Sequence, residues 1–146
     1  MTLDVESRFA LADDEPAVMT FLENCGGDVT IDETNQATRW LTMHPRAASD
    51  ESYFVRLCWD KYPYAAPSVL FATAVGGELG VMRAWPLIPG YRPPNDICMP
   101  FTAEGYAIHQ EWTNGPTAWD ASGNPYLRVV EQIQNDLDNR YGGRAQ

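Results

Sequence analysis

The chain has 146 residues, 45% of them hydrophobic and 21% charged, a balance that fits one folded domain burying about two-thirds of its unfolded surface and excludes a disordered segment. Its net charge of −10, from 20 acidic and 10 basic residues, repels phosphate backbones and anionic lipid, which disfavours nucleic-acid and membrane partners and suits a basic one. Three cysteines, Cys25, Cys58 and Cys98, match no zinc-module spacing and leave one thiol over from any disulfide pairing.

The acidic N-terminus does not read as a signal peptide, and no stretch approaches the ~20 apolar residues of a membrane span. A reduced cytosol is therefore the expected compartment. Residues 2–12 give a weak helical pattern, with Leu3, Phe9 and Leu11 as core contacts. Asp13-Asp14 places carboxylates before Pro16, which suits a first helical turn. Val18, Phe21 and Leu22 follow at helical spacing, and Gly26-Gly27 ends that helix near Asn24. Cys25, just before the stop, reads as structural.

Strand-like runs come next at Val29–Ile31, Thr38–Met43, Ser52–Trp59 and Ser68–Thr73. The third alternates as a half-buried strand does, and short connections predict an antiparallel meander. His44, beside Pro45 at a strand end, reads as structural. After Thr73 regular patterning fades. Glu78 to Trp85 allows a short helix, but residues 74–100 are otherwise rich in Gly and Pro, and residues 101–118 also read as loop. The clearest helix starts at Ser122, Gly123 or Asn124, with Pro125 in its first turn. It carries Tyr126, Val130, Ile133, Leu137 and Tyr141 on one stripe, and Gly142-Gly143 ends it before a frayed tail. No internal repeat or domain boundary interrupts residues 1–146.

Two short motifs stand out. Tyr62-Pro63-Tyr64-Ala65-Ala66-Pro67 is a rigid double-proline bend leading into the fourth strand, and Ile97-Cys98-Met99 sets one cysteine at the end of a proline-rich loop. The bend resembles the Tyr-Pro-Phe-x-x-Pro of the ubiquitin-conjugating enzyme (UBC-like) superfamily, and Ile97-Cys98-Met99 resembles that family's Ile-Cys-Leu. Trp119 and the helix after it are similar to the family's tryptophan and first post-cysteine helix. The resemblance implies an α+β fold of N-terminal helix, four-stranded antiparallel meander, long cysteine-bearing loop and C-terminal helix. It also implies that Cys98 carries a ubiquitin-like modifier protein as a thioester for transfer to an amine, supplied by an activating-enzyme-like protein.

The chain departs from the pattern as a divergent relative, similar to prokaryotic branches of the superfamily. Where the family has His-Pro-Asn about eight residues before the cysteine, this chain has Ile88-Pro89-Gly90. The asparagine that supports the oxyanion is missing, and an extra segment with His109 and Trp112 separates Cys98 from Trp119.

Thioester exchange needs an exposed thiolate, a donor to the tetrahedral oxyanion and a path for the amine. Asn95 offers a side-chain amide, and His109 offers a base or donor. Asp96 opposes thiolate formation if close, yet can orient a lysine. Plainer readings stand beside these: Cys98 as a small buried hydrophobe, His109 as a hydrogen-bonded loop residue, Asn95 as a turn former. Trp85, Trp112, Trp119 and Tyr91 cover the core beneath the long loop or form a partner-binding patch. A Cys98–His109 hydrolase lacks an orienting third member, a zinc site lacks a fourth ligand, and Gly76–Gly80 lacks the lysine of a phosphate loop. No cofactor or metal is expected. Two functions remain open: a conjugating-type transferase, or an inactive binding module holding a modifier-like or other protein. The oligomeric state is not legible.

Overall fold

The computed structural model describes residues 3–146. The protein is α+β: α1 (Val5–Asn24), an antiparallel sheet of β1 (Asp28–Ile31), β2 (Thr38–Met43), β3 (Tyr53–Cys58) and β4 (Ser68–Ala72) in sequence order, then α2 (Ala103–Ile108) and α3 (Pro125–Asn139). Between β4 and α2 lies a small hairpin of β5 (Tyr91–Arg92) and β6 (Asp96–Ile97). Among the described residues, no helix is long and apolar enough to cross a membrane.

One continuous helix occupies the N-terminal region, where the sequence suggests a weak helix and a second one starting at Pro16. Asp4 caps it by accepting from the Ser7 N–H, and Ser7, Leu11, Glu15, Val18 and Leu22 form its buried stripe. Phe9 is not a core contact. It is 69% exposed, because two residues before Leu11 is about 200° around a helix and faces water. Pro16 sits within the helix on its exposed side, where the Ala12 carbonyl that it cannot bond is left to solvent.

The four predicted strands form, and their register explains the core. Leu41 pairs with Val55 and Val55 with Phe71; Leu57 pairs with Val69. Alternation along β3 buries Tyr53, Val55 and Leu57 and leaves Phe54, Arg56 and Cys58 on the other face. Tyr126, Val130, Ile133 and Leu137 of α3 close over these side chains, and α1 lies against α3.

The irregular regions hold more order than their composition suggests. Glu78 to Trp85 is not a helix: Leu79 bridges Ala72, and Met82–Ala84 makes one 3-10 turn. Residues 103–108 are helical within the predicted 101–118 loop. The last helix ends at Asn139, and the tail beyond it is paired. Gly142 N–H donates to Leu87 O, Leu87 N–H to Gly143 O and Ala145 N–H to Trp85 O, at 2.8, 2.8 and 2.9 Å. Ala145 is buried as a result.

Candidate functional site

The β5–β6 hairpin presents Cys98. Tyr91 pairs with Ile97 and both are buried; Arg92 pairs with Asp96 on the outer face. Side chains alternate along a strand, so Cys98, two residues after Asp96, shares that outer face, with Gly90 across from it. Cys98 N–H donates to Gly90 O at 2.8 Å, which extends the hairpin by one step. The thiol is half-buried. Gly90 has φ +91°, and a Cβ there would lie 2.9 Å from Met99 Cγ. The position facing Cys98 is thus built for a residue with no side chain.

The hairpin is anchored from below. Tyr91 Oη donates to Asp136 Oδ2 of α3 at 2.8 Å, and Gln132 Nε2 donates to Asp136 Oδ1 at 3.0 Å. Burial, then the Asp136 charge, holds the Tyr91 phenol well above its ordinary pKa. On the outer face Arg92 grips Asp96 with a fork, Nε to Oδ1 at 2.8 Å and Nη2 to Oδ2 at 2.7 Å. Asp96 raises the guanidinium pKa, first by hydrogen bonding and then by charge, and Cys98 lies near enough to add to the effect. The charge of Asp96 is therefore already paired by Arg92.

α2 fixes the chain just after Cys98. Thr102 Oγ1 accepts from Gly105 N–H at 2.9 Å, capping the helix, and donates to Ile97 O at 2.6 Å. Gly105 presses on Met99 so closely that a Cβ would sit 2.2 Å from the Met99 carbonyl oxygen. Glu104 reaches the start of β4, accepting from Ser68 Oγ at 2.5 Å and from Val69 N–H at 3.1 Å. The Tyr62–Pro67 bend joins the same unit, because Ala103 N–H donates to Pro67 O and Trp119 Nε1 to Pro63 O, at 2.8 and 2.7 Å. A cleft of about 430 Å³ opens beside it, lined by Pro100, Phe101, Tyr106, Trp119, Arg128 and Gln132 among others.

The two proposed helpers of Cys98 are held by other contacts. Asn95 is exposed at the hairpin tip, where its N–H closes the turn onto Arg92 O at 2.7 Å. His109 ends α2, with Nδ1 2.9 Å from Glu111 Oε1 and its ring stacked on Trp112 at 4.2 Å. Among the described residues, no hydrogen bond joins either side chain to Cys98. Trp112 thus packs on His109, whereas Trp85 and Tyr91 are core residues and Trp119 is half-buried against Trp59.

Cys25 caps the end of α1, and burial followed by the Asp138 charge pushes its thiol pKa up. Cys58 accepts from Thr38 Oγ1 at 3.5 Å. His44 Nδ1 bonds the Glu51 carbonyl oxygen at 3.0 Å, a structural role. Among the described residues, no three His, Cys, Asp or Glu side chains are grouped to hold a metal ion.

Sequence reasoning missed Arg92, Thr102 and Gly105. A usable signal for Arg92 was the spacing by two of Gly90, Arg92, Asp96 and Cys98 about the Pro93-Pro94-Asn95 turn. For α2 it was Thr102 as an N-cap with Glu104 in the first turn. No protein-family model matches the chain, and no curated protein matches it in sequence.

Proposed function

We propose that this chain is a divergent ubiquitin-conjugating-enzyme-like transferase that carries a ubiquitin-like modifier as a thioester on Cys98 and passes it to an amine. The observation that carries this reading is the Cys98 N–H to Gly90 O hydrogen bond. It sets Ile88-Pro89-Gly90 beside Ile97-Cys98-Met99, downstream of a helix and a four-strand meander, in the order that the superfamily resemblance implies. In the first step the Cys98 thiolate attacks the modifier's C-terminal thioester carbonyl and expels the activating enzyme's thiolate. In the second an amine attacks the Cys98 thioester and the cysteine leaves as thiolate. Cysteine is nucleophilic enough that neither step demands a dedicated base touching its sulfur.

One observation favours the binding-module alternative. The Cys98 N–H is spent on Gly90, and Gly90 has no side chain to stabilise an oxyanion. Discharge separates the two readings. The protein is charged with a synthetic peptide thioester ending in Gly-Gly, desalted and exposed to free lysine. A transferase loses the acyl group to lysine as an amide faster than it loses it to water; a binding module, if charged at all, loses it no faster with lysine present.

A further inference from the structure

We infer that Arg92 stabilises the oxyanion formed at Cys98, taking the place of the side chain that Gly90 lacks. The inference rests on the transferase reading and names the residue that makes it chemically workable. Register places Arg92 and Cys98 on one face of the hairpin, as diagonal neighbours across the β5–β6 pair. Such diagonal positions lie about 7–8 Å apart at the backbone, within reach of a long side chain. The directly opposed position is Gly90, so no side chain stands between them on that rung.

Arg92 is also suitably held. Its side chain is 49% exposed, and the fork to Asp96 uses Nε and Nη2. A guanidinium has five N–H donors, and among the described residues none accepts from Nη1. The guanidinium is permanently charged and keeps its proton throughout. When the Cys98 sulfur bonds to the thioester carbonyl carbon, the C=O electron pair moves onto oxygen. The Nη1 donors stabilise that oxyanion, and the pair returns as the upstream thiolate departs. In the second step the amine nitrogen bonds to the same carbon, the C–S bond breaks and the amine's proton goes to solvent. Asp96 is a positioning residue, holding the guanidinium by Nε and Nη2 across the hairpin.

The test compares two reactions of one thiol in a Cys25→Ser, Cys58→Ser background. Acyl transfer from a Gly-Gly peptide thioester passes through an oxyanion; alkylation by iodoacetamide does not. Arg92→Ala is expected to slow acyl transfer by about tenfold or more beyond any slowing of alkylation at the same pH, the latter reporting the thiolate fraction lost when Asp96 is unpaired. Arg92→Lys is expected to recover part of the loss, because it keeps the charge without the fork. Circular dichroism checks that the variants fold. Acyl transfer unchanged in Arg92→Ala, or the two reactions slowed equally, overturns the role of Arg92 alone. A parent protein that accepts no acyl group on Cys98 beyond a free cysteine peptide overturns the transferase reading, and the inference with it.

Discussion

Tyr126 Oη donates to Glu15 Oε2 at 2.5 Å, and the other Glu15 oxygen accepts from Arg39 Nε at 2.6 Å. This one carboxylate ties α3, α1 and β2 together in a region where all three residues are buried. A buried pair gives little net stability when intact, but removing one member leaves an unpaired charge. Glu15→Ala should therefore cost about 3–5 kcal/mol in urea unfolding. Tyr126→Phe, which removes one hydrogen bond to a charged group, should cost about 1.5–3 kcal/mol. A Glu15→Ala loss below about 1 kcal/mol would mean that Arg39 finds another partner.

Stability should fall at alkaline pH. Burial is the first cause of raised phenol pKa values at Tyr53, Tyr62, Tyr91 and Tyr126, reinforced by Tyr141 at Tyr53 and by a carboxylate, Asp14, Asp136 or Glu15, at the other three. The folded state thus holds these protons above pH 10, where the unfolded chain releases them, so unfolding is favoured as pH rises from the ordinary tyrosine value. The urea midpoint should hold steady from pH 8 to 9 and drop from pH 10 upward. Phenolate absorbance of these tyrosines should appear together with loss of the helical signal, and its appearance in a folded protein would contradict the burial argument.

Gly105→Ala should disturb the thiol from a distance. The added Cβ would meet the Met99 backbone, and such overpacking typically costs about 1–3 kcal/mol. The chain that must yield is the residue after Cys98. Slower iodoacetamide labelling of Cys98 or a changed pH profile should accompany the stability loss. Gly90→Asn should fail to improve acyl transfer, because φ +91° and Met99 both oppose a side chain there.

The meander was legible because alternation and apolar runs report burial directly, as in Tyr53–Cys58. Less legible were elements whose reason is a distant contact. Gly105 looks like a helix breaker, yet in α2 it permits the close approach to Met99. Pro16 looks like a helix start, yet burial of Leu11, Val18 and Leu22 on either side of it carries the helix through. The tail around Ala145 is ordered by backbone bonds to residues 85–87, which no local pattern encodes. At the site, Cys98 was legible as a residue, but His109 and Asn95 were chosen for their chemistry, whereas it is the hairpin register that sets Arg92 on the face of Cys98.

Tyr91→Phe should loosen the hairpin without touching Cys98. It removes a donor from the fully buried Asp136 carboxylate, at about 1.5–3 kcal/mol. The Cys98 amide, bonded to Gly90 O, should exchange with deuterium at least about tenfold faster if local opening follows this loss. Exchange unchanged at Cys98 would show that α2 alone fixes the thiol.

Site-resolved mass spectrometry after brief exposure to a Gly-Gly peptide thioester tests the central claim most directly. The account predicts an acyl group on Cys98, removed by hydroxylamine, formed at least about tenfold faster than on Cys25, whose thiol pKa burial pushes up, or on Cys58, whose thiol accepts a hydrogen bond. Cys98→Ser should abolish the hydroxylamine-labile product and leave the fold intact. Equal acylation of the three cysteines, or none at Cys98, would contradict it.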